Sequence, residues 1–166
     1  MANDPIAVRC LQASDAHDYQ TLRLAALLTS PEAFSATYAV EVRRSLAEHA
    51  GRLTTSAVHG AYAGDEIVGL IGFRRCEGEK ERHKGFVWGF YVDPRWRRRG
   101  VGAALIAALL KDARDSVEQA TLSVSEENHD AISLYKRFGF STYGVEPRAL
   151  KSAAGYSNAA LMALVF

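Results

Sequence analysis

Arg97-Arg98-Arg99-Gly100-Val101-Gly102-Ala103 lies between an apolar, aromatic run at 86–92 and an apolar-periodic run at 100–113. The first run, closed by Pro94, reads as a strand. The second carries Val101, Ala104, Leu105, Ala108 and Leu109 on one face and reads as a helix. The heptapeptide is therefore a strand-to-helix turn with three cations and two glycines. Backbone N–H groups at a helix start lack intrahelical partners, and the helix dipole there is positive. Both favour a bound anion, phosphate above all. Glycine at 100 and 102 lets the backbone approach closely and take positive φ. The plainer alternative is a solvated basic turn on a glycine-softened helix. Placement between strand and helix, together with the arginines, favours the anion site.

Two familiar phosphate loops do not fit. A Rossmann fingerprint needs a third glycine three residues on, where Leu105 stands, and belongs to the first βαβ unit. A Walker loop would end in Gly-Lys-Ser/Thr, which is missing.

Outward from the turn, the chain reads as one domain over residues 1–166. Residues 6–11 form a first strand. Ser14 or Asp15 caps a helix to about Leu28, and Ser30-Pro31 opens a second helical region that reaches about Ala50 with a break and closes at Gly51. Strands at 57–63 and 66–74 flank a Gly64-Asp65 turn. A strand at 120–124 follows the basic turn's helix. Asn128 then caps a helix that stacks Ala131, Leu134, Tyr135 and Phe138 on one face and ends at Gly139. Residues 140–143 and 161–166 form the last two strands. The order β-α-α-β-β-β-α-β-α-β-β predicts an α/β (α+β) fold: a mixed sheet of about seven strands, mostly antiparallel, with four helices on its faces.

Composition narrows the function. The chain is 48% hydrophobic and 23% charged, with a formal net charge of +1. This suits a globular domain and argues against a general nucleic-acid binder. Cys10 and Cys76 match no metal or redox spacing and read as unpaired thiols. The five histidines form no metal-ligand pattern, so no metal is expected. The N-terminus has no secretory pattern and no apolar run approaches the ~20 residues that span a bilayer. A cytoplasmic protein without membrane contact is expected.

The two signatures together resemble the GNAT superfamily of N-acetyltransferases. The family's pyrophosphate loop, Arg/Gln-x-x-Gly-x-Gly/Ala, is matched by Arg97 to Gly102. Its second signature, Asn, Ala and Tyr in a helix that ends in Gly-Phe, is matched by Asn128, Ala131, Tyr135 and Gly139-Phe140. The resemblance covers essentially the whole chain. It implies the GNAT fold, with strands 86–92 and 120–124 splayed into a V. It implies acetyl-CoA as cosubstrate, its pyrophosphate on the amides of Arg97, Arg98, Arg99, Gly100, Val101, Gly102 and Ala103, its pantetheine arm along Phe90, Tyr91 and Val92, and a contact to Asn128. An amine acceptor, small molecule or peptide, would enter from the other side. Residues 23–34 more loosely resemble bacterial GNAT members of unassigned substrate, which places the acceptor near Phe34, Tyr38 and Glu41. Relatives often dimerise, so a homodimer stays open.

The resemblance makes Tyr135 the general acid for the departing thiolate; the alternative is a core tyrosine. A phenol titrates near pH ~10 and a thiol near ~8.5, so full transfer is uphill by roughly 2 kcal/mol. A hydrogen bond to the developing thiolate stabilises it without complete transfer. The base is less clear. Many relatives carry a Glu on the central strand, whereas Val87-Trp88-Gly89-Phe90-Tyr91 has no carboxylate. Glu41 is the candidate, beside Glu32, Tyr91, a water chain, or an amine that arrives already neutral. For either Glu, a solvated helix face is the alternative.

Arg95–Arg99, interrupted by Trp96, would also fit RNA, but CoA phosphates explain such a cluster beside a phosphate loop more simply. Three functions therefore compete: an acetyl-CoA:amine N-acetyltransferase, a non-catalytic CoA-binding module, and a dinucleotide- or RNA-binding protein. The first is expected, without nucleic acid as partner.

Overall fold

The computed structural model describes residues 5–166, so the part of the N-terminal reading that rests on residues 1–4 lies outside the described residues. One seven-stranded sheet runs through the molecule in the order β1-β2-β3-β4-β5-β7-β6. The strands are β1 (Ile6–Cys10), β2 (Ala57–Ala63), β3 (Glu66–Arg75), β4 (Lys84–Val92), β5 (Gln119–Ser125), β6 (Ser141–Ser152) and β7 (Gly155–Val165). All neighbours pair antiparallel except β4 and β5. The mixed, mostly antiparallel sheet is the one expected.

Five helices flank it among the described residues, one more than expected: α1 (Ala16–Thr29), α2 (Tyr38–Glu41), α3 (Leu46–Thr55), α4 (Val101–Arg114) and α5 (His129–Arg137). The extra helix comes from the segment after Pro31. There a 3-10 turn at Pro31–Ala33 and the short α2 precede α3. Ser45 and Glu48 start α3 reciprocally: Ser45 Oγ accepts from Glu48 N–H and the Glu48 carboxylate accepts from Ser45 N–H at 2.7 Å. With such a start, α3 runs through Gly51 to Thr55, so Gly51 does not close it.

The last two strands also exceed expectation. β6 and β7 form a long hairpin in which Ser152 faces Gly155. Register shifts at Thr142/Gly144 and Glu146/Leu150 break its period-two pattern. Most of β6 is exposed at the sheet edge, so burial leaves little alternation to read.

Two cores lie on opposite faces of the sheet. One packs α4 and α5 through Val101, Leu105, Leu109 and Tyr135 against Val68, Ile71, Val87 and Met162. The other packs α1 and α3 through Tyr19, Leu22, Ala26 and Leu53 against Val58, Leu70 and Tyr91. Both thiols are free.

Candidate active site

β4 and β5 run parallel for three residue pairs only, from Lys84↔Gln119 to Phe86↔Thr121. Beyond them β4 stays with β3 and β5 with β7, and a cleft opens between. A bulge in β4 accounts for its share of the divergence. Leu70 faces Tyr91 and Gly72 faces Trp88, so Gly89 and Phe90 together oppose Ile71. Gly89 has φ +64°, the left-handed region that glycine enters without steric cost. Past the third pair, the β5-facing edge of β4 has no strand partner, and such an edge accepts an extended chain.

The basic loop lies just past the end of β4. Asp93 Oδ1 accepts from Arg95 N–H at 2.9 Å and opens a short 3-10 turn, Pro94–Trp96. Two left-handed residues follow, Arg98 at φ +62° and Gly100 at φ +81°. Alternating backbone hand turns successive N–H groups to one side and forms an anion-binding concavity. The N–H groups of Val101, Gly102 and Ala103 in the first turn of α4 extend it. A left-handed non-glycine residue such as Arg98 costs about 1–3 kcal/mol, a strain that collects at ligand clamps. Gly102 serves another purpose than expected. A Cβ there would lie 3.1 Å from both Leu134 Cδ2 and Phe90 Cζ, so its bareness lets α4 sit against β4 and α5.

The three arginines divide their work. Arg97 Nε donates to the Val92 carbonyl at 2.9 Å, and Arg97 Nη2 donates to Ser30 Oγ at 3.3 Å, which ties the loop to the end of α1. Arg98 stands in solvent 3.5 Å from Asp130, and Arg99 lies over the Trp96 ring. The Val92 carbonyl is thus engaged by a side chain from the loop.

One wall of the cleft comes from α5. Asn128 Oδ1 accepts from Ala131 N–H at 3.2 Å and caps the helix, leaving the side-chain amide nitrogen for another acceptor. Tyr135 is buried, its ring 5.6 Å from Phe90 and 5.5 Å from Phe140. Burial alone pushes its phenol pKa well above the ordinary value. The hydroxyl is therefore protonated at any working pH: a constant hydrogen-bond donor and a weak acid.

The opposite wall comes from α1 to α3. Phe34 is half-buried and lies 6.4 Å from the Tyr91 ring, whose hydroxyl shares a 2.7 Å hydrogen bond with Thr29. Tyr38 is exposed at the start of α2, and Glu32 is exposed without an ion pair.

Glu41 does not sit on a solvated face. Its side chain is 4% exposed and enclosed by guanidinium groups. Arg52 donates to Oε2 at 3.0 Å and to Oε1 at 3.3 Å, and Arg44 Nε donates to Oε1 at 3.0 Å. Burial alone would raise its pKa; Arg52 first, then Arg23 and Arg44, outweigh that and lower it. A carboxylate held ionised this way is a poor proton acceptor, which removes the reason for naming Glu41 the base.

Arg23, Arg44 and Arg52 were not expected here. Only Arg23 had a local signal: a charged residue on the face of α1 that buries Tyr19, Leu22, Ala26 and Leu27.

The chain has counterparts among known proteins. A model of the acetyltransferase (GNAT) family matches residues 18–140. The chain is 33% identical over 90 residues to a spermine/spermidine N(1)-acetyltransferase of Bacillus subtilis, covering 51% of this chain and 59% of that protein. It is 35% identical over 89 residues to the N-alpha-acetyltransferase RimI of Mycobacterium tuberculosis, covering 54% of each. The chain thus spans little more than half the length of these two relatives. Among solved structures, yncA of Salmonella typhimurium, described as a putative acetyltransferase with its cofactor acetyl-CoA, superposes with a TM-score of 0.84 at 18% identity, over 97% of this chain and 94% of that one. That likeness extends the fold to nearly every residue, and the family match takes in both the basic loop and Tyr135: the chain belongs to the acetyltransferase (GNAT) family.

Proposed function

We propose that the chain is an N-acetyltransferase that moves an acetyl group from acetyl-CoA to a primary amine by direct attack on the thioester. The observation that carries this reading is the V between β4 and β5, with the concave loop of Arg98 and Gly100 beside it. The amides of Arg97 to Ala103 would hold the pyrophosphate, with the solvent-facing Arg98 and Arg99 supplying long-range attraction. The free edge of β4 at Phe90, Tyr91 and Val92 would take the pantetheine arm as an added strand. Asn128 would contribute its uncommitted amide nitrogen.

In the reaction the amine nitrogen forms the C–N bond, the C–S bond breaks, the amine gives up a proton and the sulfur ends as a thiol. Tyr135, always protonated, donates a hydrogen bond to the developing thiolate. With Glu41 locked among arginines and no carboxylate on β4, the acceptor loses its proton to water or arrives neutral. Phe34 and Tyr38 stand on the acceptor side. The acceptor is a small molecule or peptide amine, and relatives named for polyamine and N-alpha substrates illustrate both. Among the described residues no helix is long and apolar enough to cross a membrane. A single domain over 1–166, in the cytoplasm and with a homodimer as a further option, completes the reading.

Thiol release from acetyl-CoA across an amine panel tests it. Amine-dependent release is expected. Tight CoA binding without release would show a CoA-binding module instead, and displacement of CoA by NAD or RNA would remove both readings.

A further inference from the structure

Arg23 is the buried charge on the acceptor side that the fold pairs only at long range, with Glu41 and without a hydrogen bond. Its side chain is 9% exposed, and its Nε has no hydrogen-bond partner among the described residues. Nε lies 3.9 Å from Glu41 Oε2, beyond hydrogen-bond range. Both Glu41 oxygens are already taken by Arg52 and Arg44. The cluster sets Arg23, Arg44 and Arg52 against Glu41 and Glu48, and Glu48 is 54% exposed and reaches only Arg44, at 3.7 Å. The cluster therefore carries one positive charge more than negative, and Arg23 is its most buried and least well paired cation. Buried charges are normally paired, because leaving one alone is expensive.

The surplus sits where an acceptor would come. Arg23 Nη1 is the nearest atom to the place a Cβ on Gly89 would occupy, at 3.7 Å. Gly89 is the bulge residue of β4, three positions past its last pair with β5, so its missing side chain leaves space beside the guanidinium. Phe34 covers the other side, its ring centroid 5.1 Å from Arg23 Cζ.

We infer that Arg23 anchors a carboxylate carried by the amine acceptor, so that the acceptor class is amino acids and other amines that bear a carboxylate. The inference rests on the acetyltransferase reading. A guanidinium fork matches a carboxylate in shape and charge. The same surplus charge repels a polycation, which sets polyamines aside. Pairing with Arg23 also removes the negative field that keeps a neighbouring ammonium protonated. That helps the amine become neutral in a site whose central strand offers no carboxylate.

The test uses matched triplets of amines on one skeleton: the L-amino acid, its carboxamide and its decarboxylated amine, for a panel of side chains. For the accepted skeleton, kcat/KM on the free acid is expected to exceed that on the other two by about 10- to 100-fold. Arg23→Met should flatten this ratio through KM, with CoA affinity by calorimetry unchanged. Should Arg23→Met not fold, binding of the same triplets to the CoA-loaded wild-type protein gives the readout without turnover. The free acid should then raise the melting temperature more than its amide does. Turnover or binding that is equal or better for the amide, the decarboxylated amine or a polyamine overturns the inference and leaves acetyl transfer standing. No amine-dependent thiol release at all, with acetyl-CoA bound, overturns the acetyltransferase reading and this inference with it.

Discussion

The two walls of the cleft solve different electrostatic problems. The wall made by α4 and α5 buries no carboxylate and no guanidinium among the described residues, and the Asp112 that meets the buried His59 is itself 58% exposed. That wall offers backbone N–H groups at the start of α4, aromatic rings around Tyr135 and cations that stay in solvent. The wall made by α1, α2 and α3 buries a carboxylate and most of two guanidiniums and leaves one charge over. A nucleotide cosubstrate brings its own charge to a rim that can remain wet. An acceptor that must be told apart from other amines meets charge that has already been removed from water, where it acts more strongly.

The sharpest way to break this contrast is to remove one hydroxyl from the first wall. Tyr135→Phe keeps the ring against Phe90 and Phe140. Its kcat is expected to fall by roughly 10²–10⁴, the range for a positioned acid–base group, with acetyl-CoA affinity almost unchanged. Stopped-flow thiol release and calorimetry measure the two quantities. Wild-type turnover in a folded variant would return Tyr135 to a packing role. Because its pKa is raised, no loss of activity from its ionisation is expected below pH ~10, its ordinary value.

The second wall should instead fail in stability. Glu41→Ala leaves Arg52 and Arg44 facing each other without their shared anion, a loss of about 3–5 kcal/mol by analogy with other broken buried pairs. Denaturant melts give the value. The pH dependence sharpens it. Glu41 has a lower pKa folded than the ~4.3 of an unfolded chain. Its contribution is complete above that value and is lost as pH falls through the folded pKa. Acid unfolding of Glu41→Ala should therefore show a shallower dependence below pH ~4.3 than wild type. Identical acid limbs would mean that Glu41 adds nothing to the fold.

The smallest effect belongs to the loop. A Cβ at Gly100 meets nothing within 4 Å, so Gly100→Ala tests φ +81° alone. A cost of about 1–3 kcal/mol is expected, divided between stability and CoA affinity. Unchanged values for both would separate the left-handed turn from anion binding.

The contrast also explains what could be read before folding. The loop and the Asn128–Tyr135 helix each lie within about ten consecutive residues, and their chemistry is local: helix starts, caps and glycine φ. The succession of seven strands along the chain followed from apolar runs and the turns between them. The Glu41 cluster joins positions 23, 41 and 52 from three helices with 44 from the bend between α2 and α3, and only the packing of the helices brings 23 and 52 to 41. From the sequence, Glu41 was one acid in a helical region running from Pro31 to about Ala50, and nothing nearby announced that it would point inward. The long final hairpin hid for another reason. Its edge strand is mostly exposed, and its bulges, with Arg148 at φ +52°, interrupt the alternation.

The bulge at Gly89 has a further consequence for how this chain can change. Along a regular strand, positions three apart face opposite sides. Here Val87 and Phe90 both belong to the α4/α5 side, and Trp88 and Tyr91 both belong to the α1/α3 side. The extra residue inverts the parity of everything after it. Deleting Gly89 would leave Phe90 and Tyr91 on their present sides, since 87, 88, 90 and 91 then alternate regularly, but it would remove the bulge that bends β4; straightening the strand with Gly89 kept would exchange Phe90 with Tyr91 across the sheet. Families drift mostly by gaining and losing single residues in loops. In this strand a residue gained or lost must be matched by a bulge gained or lost if both faces are to keep their side chains, so its length and its bulge are constrained together.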